Sequence, residues 1–141
     1  MGGKKPRQSD LKRSVSTVYY ALFHTLCRQC ADCLIGTKGS DRSNPAWRQA
    51  YRAVAHGHAK GCCENQKIMK TFPKEIEDFG NAFVTAQIKR HSADYDPAYR
   101  VIRSEVIEDI NVAEQVIKDF KKCPVKDRRA FSAWVTLTNR K

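Results

Sequence analysis

Residues 10–35 have the sequence DLKRSVSTVYYALFHTLCRQCADCLI, in which apolar residues recur at intervals of three and four. Such intervals place apolar side chains along one face of an α-helix. Two stripes of this kind are present: Leu11, Val15, Val18, Leu22 and Leu26 form the first, and Tyr20, Phe23, Cys27, Cys30 and Leu34 form the second. At about 100° per residue the two stripes lie roughly 120° apart. A helix with two apolar stripes contacts neighbours on two sides, so we expect it at the centre of a helical bundle.

Four more helices are predicted from the rest of the chain by the same periodicity and by residues that start or stop helices. They cover residues 45–60, 73–91 and 98–122, with a short last helix from about residue 127. Their expected core residues are Trp47, Ala50, Tyr51, Val54, Ile76, Phe79, Phe83, Ile102, Val106, Ile110, Ala113, Ile117, Phe120, Phe131, Trp134 and Leu137. No segment alternates with the period of two that a half-buried β-strand requires. We therefore expect an all-α fold.

Composition restricts the chain to the class of single globular domains. Of its 141 residues, 41% are hydrophobic and 29% are charged, which fits neither a disordered nor a membrane protein. No apolar run approaches the roughly 20 residues that span a bilayer, and no secretory signal follows the N-terminal charges. Residues 1–9 are expected to form a basic flexible arm, and residues 10–141 a single helical domain. The expected location is cytoplasmic, with the six cysteines reduced.

The chain carries a net charge of +11, and this charge is unevenly distributed. Residues 1–70 contain 13 basic and 4 acidic side chains, a net +9, whereas residues 71–141 contain 13 basic and 11 acidic side chains, a net +2. A positive field attracts polyanions, and RNA or DNA is the most common polyanion in a cytoplasm. Contact with nucleic acid is the favoured interpretation, and the alternative is that the charge serves only solubility.

Two segments resemble the signatures of a known family. Residues 18–24, VYYALFH, resemble the Tyr-Tyr-Ala-x-Phe-His signature of the small stand-alone bacterial HEPN domains. Residues 90–97, RHSADYDP, resemble the Arg-x-x-Ala-Asp-Tyr segment that closes the third helix of those domains. The resemblance covers about residues 10–122. It implies an antiparallel bundle of four to five helices, with long central first and fourth helices, that usually forms a homodimer.

The resemblance also implies two alternative functions. Many HEPN domains are metal-independent endoribonucleases that act as toxins or in antiviral defence, so an antitoxin or other protein partner is expected besides RNA. Others have lost catalysis and bind nucleotides, RNA or partner proteins. We therefore predict an RNA-binding protein, with endoribonuclease activity as a further hypothesis and a catalytically inactive binding module as the alternative. No cofactor and no membrane association are expected.

HEPN ribonucleases carry an arginine that is followed, after four to six residues, by a histidine. Here Arg52 and His58 are the only pair with that spacing, although Ala53 stands where a polar residue is common. An arginine stabilises the negative charge that develops on a phosphate, while a histidine transfers the proton of the 2′-hydroxyl or of the leaving oxygen. The resemblance therefore makes Arg52 and His58 the expected catalytic pair.

Basic residues of the second predicted helix suggest another arrangement. Arg48, Arg52, His56 and Lys60 recur every four residues and would share one face of that helix, whereas His58 lies about 160° from Arg52. His56 is thus the better geometric partner of Arg52, and Arg48 and Lys60 are expected to bind phosphates. The alternative is a solvated basic face without catalytic function.

His24 lies beside Arg13 and Arg28 on the side of the first helix that faces away from both apolar stripes. These three residues are the next candidates for nucleic-acid binding. The alternative for His24 is a structural histidine that is hydrogen-bonded to a neighbouring helix. After the third helix, Asp94 is expected to cap the fourth helix or to pair with Arg90.

The spacing His24-x-x-Cys27-x-x-Cys30-x-x-Cys33 suggests a metal site. On a helix, however, residues three apart are rotated by about −60°, which places Cys27 and Cys30 within the second apolar stripe and Cys33 near the first. Cysteine in such a stripe behaves as a small buried hydrophobe. We therefore expect core cysteines and no metal site.

Overall fold

The computed structural model describes residues 7–140, which form helices and connecting segments without a β-strand. The helices are α1 Gln8–Ile35, α2 Asn44–Ala53, α3 His56–Glu64, α4 Gln66–Met69, α5 Lys74–Tyr95, α6 Arg103–Lys121 and α7 Val125–Thr136. A single 3₁₀ turn covers Gly39–Asp41. The prediction of an all-α bundle is confirmed, with a divided second helix and the extra one-turn helix α4. Over the described range, no helix has both the length and the apolar character needed to cross a membrane.

Helix α1 occupies the centre of the bundle, where it contacts α2, α5, α6 and α7. All residues of its first predicted stripe are buried, but the second stripe is wrong at Leu34, which is exposed, and at Tyr20, which is 37% exposed. The neighbouring Tyr19 is fully buried instead. Its ring packs between Phe23 and Phe83, with ring centroids 5.9 and 5.6 Å away. Because α1 is surrounded by four helices, a further line of its surface is buried beyond the two stripes.

The start of α1 lies two residues earlier than expected. The side-chain amide of Gln8 donates to the carbonyl of Val101 and accepts from its N–H, with both distances 2.9 Å. These two hydrogen bonds join the first turn of α1 to the segment before α6. Gln8 and Ser9 therefore belong to a helix and not to the predicted flexible arm, whose residues 1–6 lie outside the described range.

The predicted second helix is interrupted at Val54 and Ala55. Both residues have extended backbone, with φ −72° and ψ 113° at Val54 and φ −96° and ψ 132° at Ala55. Helix α2 therefore ends at Ala53, and α3 begins at His56. Val54 is buried in the main core, so the interruption accompanies the packing of an apolar side chain. The prediction of one helix over residues 45–60 is wrong for this reason.

Helices α5, α6 and α7 correspond to the last three predicted helices. Helix α6 begins at Arg103, five residues later than expected, because Val101 is buried in the preceding extended segment. The predicted core positions of α5 are all buried, as are those of α6 at Val106, Ala113 and Phe120. Three predicted core residues are exposed at the surface of the bundle: Ile102, Ile110 and Leu137.

Three phenylalanines of different helices meet in the middle of the core. Phe79, Phe120 and Phe131 are fully buried, and their ring centroids are 4.5 to 6.3 Å apart. Gly80, next to Phe79, allows α5 to approach the α3–α4 segment closely. A Cβ atom at Gly80 would lie 2.6 Å from the Cε atom of Met69. This close contact fixes α3, and with it His56, against the rest of the bundle.

Candidate functional site

The two segments that resemble the HEPN signatures meet in the structure. Arg90, near the end of α5, lies over two rings of α1, with its Cζ atom 5.2 Å from the ring centroids of both Tyr19 and Tyr20. The expected pairing of Asp94 with Arg90 is confirmed as an ion pair of 3.3 Å without hydrogen-bond geometry. The Oδ1 atom of Asp94 lies 3.4 Å from the hydroxyl of Ser16 on α1. The Arg90 guanidinium is thus held against α1.

His56, the first residue of α3, joins this group. Its ring stacks on Phe23 with centroids 3.8 Å apart, and its Nδ1 atom is hydrogen-bonded to the hydroxyl of Tyr19. Burial, the charge of Arg90 and the nearby His24 lower the pKa of His56 below its usual 6.5. Burial raises the pKa of Tyr19, so this hydroxyl keeps its proton and donates it to Nδ1. His56 is therefore neutral at neutral pH and carries its own proton on Nε2.

His24 is exposed on α1 and contacts α2, where its Nδ1 atom is hydrogen-bonded to the hydroxyl of Tyr51. The interpretation of His24 as a histidine bonded to a neighbouring helix is confirmed. The same bond orients the ring and leaves Nε2 without a hydrogen-bond partner in the described part of the chain. His24, His56, Arg90, Tyr19 and Tyr20 are called the histidine–arginine cluster below.

The predicted common face of Arg48, Arg52, His56 and Lys60 is wrong, because the helix is interrupted before His56. Arg48 and Arg52 are exposed on α2 around one shallow surface depression. His56 belongs to the histidine–arginine cluster, and Lys60 pairs with Glu64 at an Nζ–Oε2 distance of 3.2 Å. The four residues therefore contribute to three different environments.

His58 lies in a different surface groove from Arg52. Its Nε2 atom is 3.5 Å from the Sγ atom of Cys62, and it lines this groove together with Phe72 and Trp134. Arg52 lines the shallow depression on α2 instead. The spacing of Arg52 and His58 therefore does not correspond to a shared site within one chain.

The two remaining candidates, Arg13 and Arg28, are exposed on α1. Arg28 follows His24 by one helical turn, and Arg13 precedes it by about three turns, so all three lie along one face of the helix. Both guanidinium groups are without an ion pair to any of the described residues. They are thus placed where a polyanion contacts them first.

Sequence reasoning missed three residues that define the histidine–arginine cluster and its link to α2: Arg90, Tyr19 and Tyr51. Arg90 and Tyr19 stand in the two segments that resemble the HEPN signatures, and this shared membership is a signal that they meet. Tyr51 carries no such signal, because its contact with His24 depends on how α2 packs on α1.

The interpretation of Cys27 and Cys30 as core residues is confirmed, since both are buried, while Cys33 is half-buried. Burial raises the pKa of the thiols of Cys27 and Cys63 to about 12. These thiols are therefore protonated at neutral pH. Over residues 7–140, no three His, Cys, Asp or Glu side chains are grouped so that they would hold a metal ion.

The lowered pKa of His56 predicts a pH-dependent stability. Because the folded pKa lies below the unfolded value of about 6.5, the unfolded chain binds the proton first, and stability falls as the pH drops below about 6.5. We expect urea denaturation to show a lower midpoint at about pH 5.5 than at about pH 7.5. In His56→Gln this difference shrinks, whereas the control His58→Gln keeps it. A His56→Gln variant with the full parental difference would contradict the assignment.

Comparison with known proteins yields no match: no family model fits the chain, and no curated protein or solved structure is significantly similar to it. The function is therefore inferred from the cluster and from the charge of the surrounding surface.

Proposed function

We propose that the protein binds RNA and cleaves it without a metal ion, in the manner of HEPN ribonucleases. The observation that carries this proposal is the convergence of His24, His56 and Arg90, from α1, α3 and α5, on the rings of Tyr19 and Tyr20. Cleavage of a phosphodiester needs a cation that faces the phosphate and imidazoles that hold or move protons. The cluster supplies both within one chain, which is why it replaces Arg52 and His58 as the candidate site.

The charge distribution supports RNA as the substrate. Residues 1–70 carry 13 basic and 4 acidic side chains, and this part of the chain includes α1 and α2. The exposed arginines of these helices lie at positions adjoining the cluster: Arg28 follows His24 by one turn, and Arg52 follows Tyr51 directly. Cations spread along such a surface neutralise successive phosphates of a strand, which makes binding strong at low salt.

Each group of the cluster has a role in the proposed reaction. Arg90 and the Nε2–H of His56 bind the nonbridging oxygens of the phosphate, and the guanidinium offsets the charge that develops there. The Nε2 atom of His24 accepts the proton of the 2′-hydroxyl while that oxygen attacks the phosphorus. The bond to the 5′-oxygen breaks, and this oxygen takes a proton from solvent. The cleaved strand ends in a 2′,3′-cyclic phosphate, and His24 returns its proton to solvent.

The alternative is a catalytically inactive HEPN-like module that binds a partner protein or a nucleotide. It is favoured by the separation of Arg52 and His58, which leaves the spacing of the ribonuclease members without a site. Exposed apolar side chains of α6, such as Ile107 and Ile110, offer contacts to a protein. A homodimer, an antitoxin partner, and a role as a toxin or in antiviral defence belong to the proposal through the resemblance alone.

Binding is expected to depend steeply on salt, because exposed arginines release counterions from the RNA. We expect the affinity for a labelled RNA to fall by orders of magnitude between about 50 and 200 mM salt. Arg28→Gln should reduce the slope of log affinity against log salt by about one unit. The control is Lys126→Gln, an exposed change on α7 that leaves the slope unchanged. Binding that is insensitive to salt, or absent at low salt, would contradict the proposal.

Cleavage is tested by incubating the protein with RNA in the presence of a chelator. The proposal expects cleavage that persists in chelator and produces 2′,3′-cyclic phosphate ends. Binding without cleavage would favour the catalytically inactive module, and cleavage that the chelator abolishes would overturn the metal-independent mechanism.

A further inference from the structure

Four ring-bearing side chains form a continuous row across α1 and α2, called the aromatic row below. Trp47 lies 5.4 Å from Tyr51, Tyr51 lies 6.0 Å from His24, and His24 lies 5.8 Å from Tyr20, measured between ring centroids. The angles between successive ring planes are 34°, 21° and 26°. The rings are thus tilted only moderately from one neighbour to the next, and they make one extended aromatic surface.

An arginine lies at each end of the aromatic row. The Cζ atom of Arg42 is 4.6 Å from the ring centroid of Trp47, and the Cζ atom of Arg90 is 5.2 Å from that of Tyr20. Asp32 holds the Trp47 end in place, since it accepts a 2.9 Å hydrogen bond from the indole N–H and pairs with Arg42 at 3.5 Å. The row is therefore ordered before any ligand arrives, which lowers the entropy that binding costs.

The aromatic row differs from the aromatic residues of the core in its exposure. Phe79, Phe120 and Phe131 are fully buried, whereas Tyr20 and His24 are exposed, and the remaining two rings of the row are half-buried. Packing of the bundle alone does not require four rings in sequence at its surface. Their accessible parts, beside the exposed arginines of α1 and α2, suit a ligand that combines flat rings with phosphates.

We propose that the aromatic row stacks against the bases of an unpaired RNA strand. This inference rests on the proposed function and adds the kind of RNA that is bound. Every base has a π-face that stacks on aromatic side chains or on a guanidinium plane, and these faces are accessible only where the strand is unpaired. Arg28, Arg48 and Arg52, exposed on the same two helices, bind the phosphates between those bases. A duplex presents its phosphates to the arginines but hides its bases from the row.

The test compares an unpaired strand with the same strand in a duplex. The probe is a labelled 2′-O-methyl RNA of about 12 nucleotides, which the proposed chemistry does not cleave, and binding is measured at low salt. We expect the unpaired probe to bind at least about tenfold more tightly than the duplex. Tyr20→Ala should weaken binding of the unpaired probe by about tenfold and leave duplex binding unchanged. The matched control Tyr20→Phe keeps the ring and should bind like the parent.

A second measurement does not depend on the folding of the Tyr20 variants. The chain has two tryptophans, so Trp134→Phe leaves Trp47 as the only indole reporter. We expect the unpaired probe to quench the fluorescence of Trp47 and the duplex to leave it unchanged. Equal affinity for both probes, equal effects of Tyr20→Ala and Tyr20→Phe, or the absence of quenching would overturn stacking while leaving charge-driven binding intact. Failure of both probes to bind at low salt would overturn the proposed function itself.

Discussion

A His24→Ala variant is expected to cleave RNA about 100- to 10,000-fold more slowly than the parent, which is the range that general acid–base groups contribute. The reason is that only the Nε2 atom of His24 is oriented by a neighbouring helix and also free of a described partner. The fold should persist, because His24 is exposed and loses one hydrogen bond, worth about 1 kcal/mol, to Tyr51. Initial rates in chelator measure the effect, and far-ultraviolet circular dichroism checks the helices.

The matched control for this prediction is His58→Ala. His58 is also exposed, but it lies on α3 in the groove with Phe72 and Trp134, outside the cluster. We expect it to cleave at nearly the parental rate. If His58→Ala is inactive while His24→Ala cleaves normally, the spacing of Arg52 and His58 identifies the site, with both residues supplied across a dimer. If both variants cleave like the parent, neither arrangement is correct.

The Phe79→Ala variant is expected to lose about 3–5 kcal/mol of unfolding free energy, a large part of the total for a domain of this size. Phe79 is fully buried, and its ring lies 4.5 Å from that of Phe120 and 6.3 Å from that of Phe131. Removing the ring therefore leaves a cavity where α5, α6 and α7 meet. Urea denaturation followed by circular dichroism measures the loss.

The comparison variant is Ile107→Ala, on α6. Ile107 is 46% exposed, so its truncation should change the unfolding free energy by no more than about 0.5 kcal/mol. A Phe79→Ala variant with parental stability would show that the three phenylalanines do not form the centre of the core. A large loss for Ile107→Ala in the isolated chain would show that this exposed side chain is covered by a second copy.

Local periodicity was sufficient to predict most of the helices. The first stripe of α1 is buried at every predicted position, and so are Ile76, Phe79 and Phe83 of α5. These positions follow from the 3.6-residue repeat, which applies to any helix with one side against a core. Periodicity fails for Tyr19 and Tyr20, because it does not say how many neighbours surround a helix. The four helices around α1 bury Tyr19 and leave Tyr20 accessible.

The candidate site was predicted only in part. His24 and His56 were among the candidates, and Asp94 was correctly paired with Arg90. The partners of the two histidines were not predicted, because Tyr51 belongs to α2 and Tyr19 to α1, each distant in sequence from the histidine it binds. The proposed catalytic role of the cluster stays a prediction until cleavage is measured.

Sequence by itself determined that the chain forms a helical bundle around a central first helix, since short-range repeats of apolar residues specify helices and their buried faces. It also determined the positive charge of the first half. Only the tertiary structure decided which polar residues meet. The break at Val54 and Ala55 separates His56 from Arg52 and directs it to Tyr19, and the packing of α5 on α1 brings Arg90 to the same rings. Contacts between distant segments depend on where helices end and how they pack, and sequence spacing carries neither quantity.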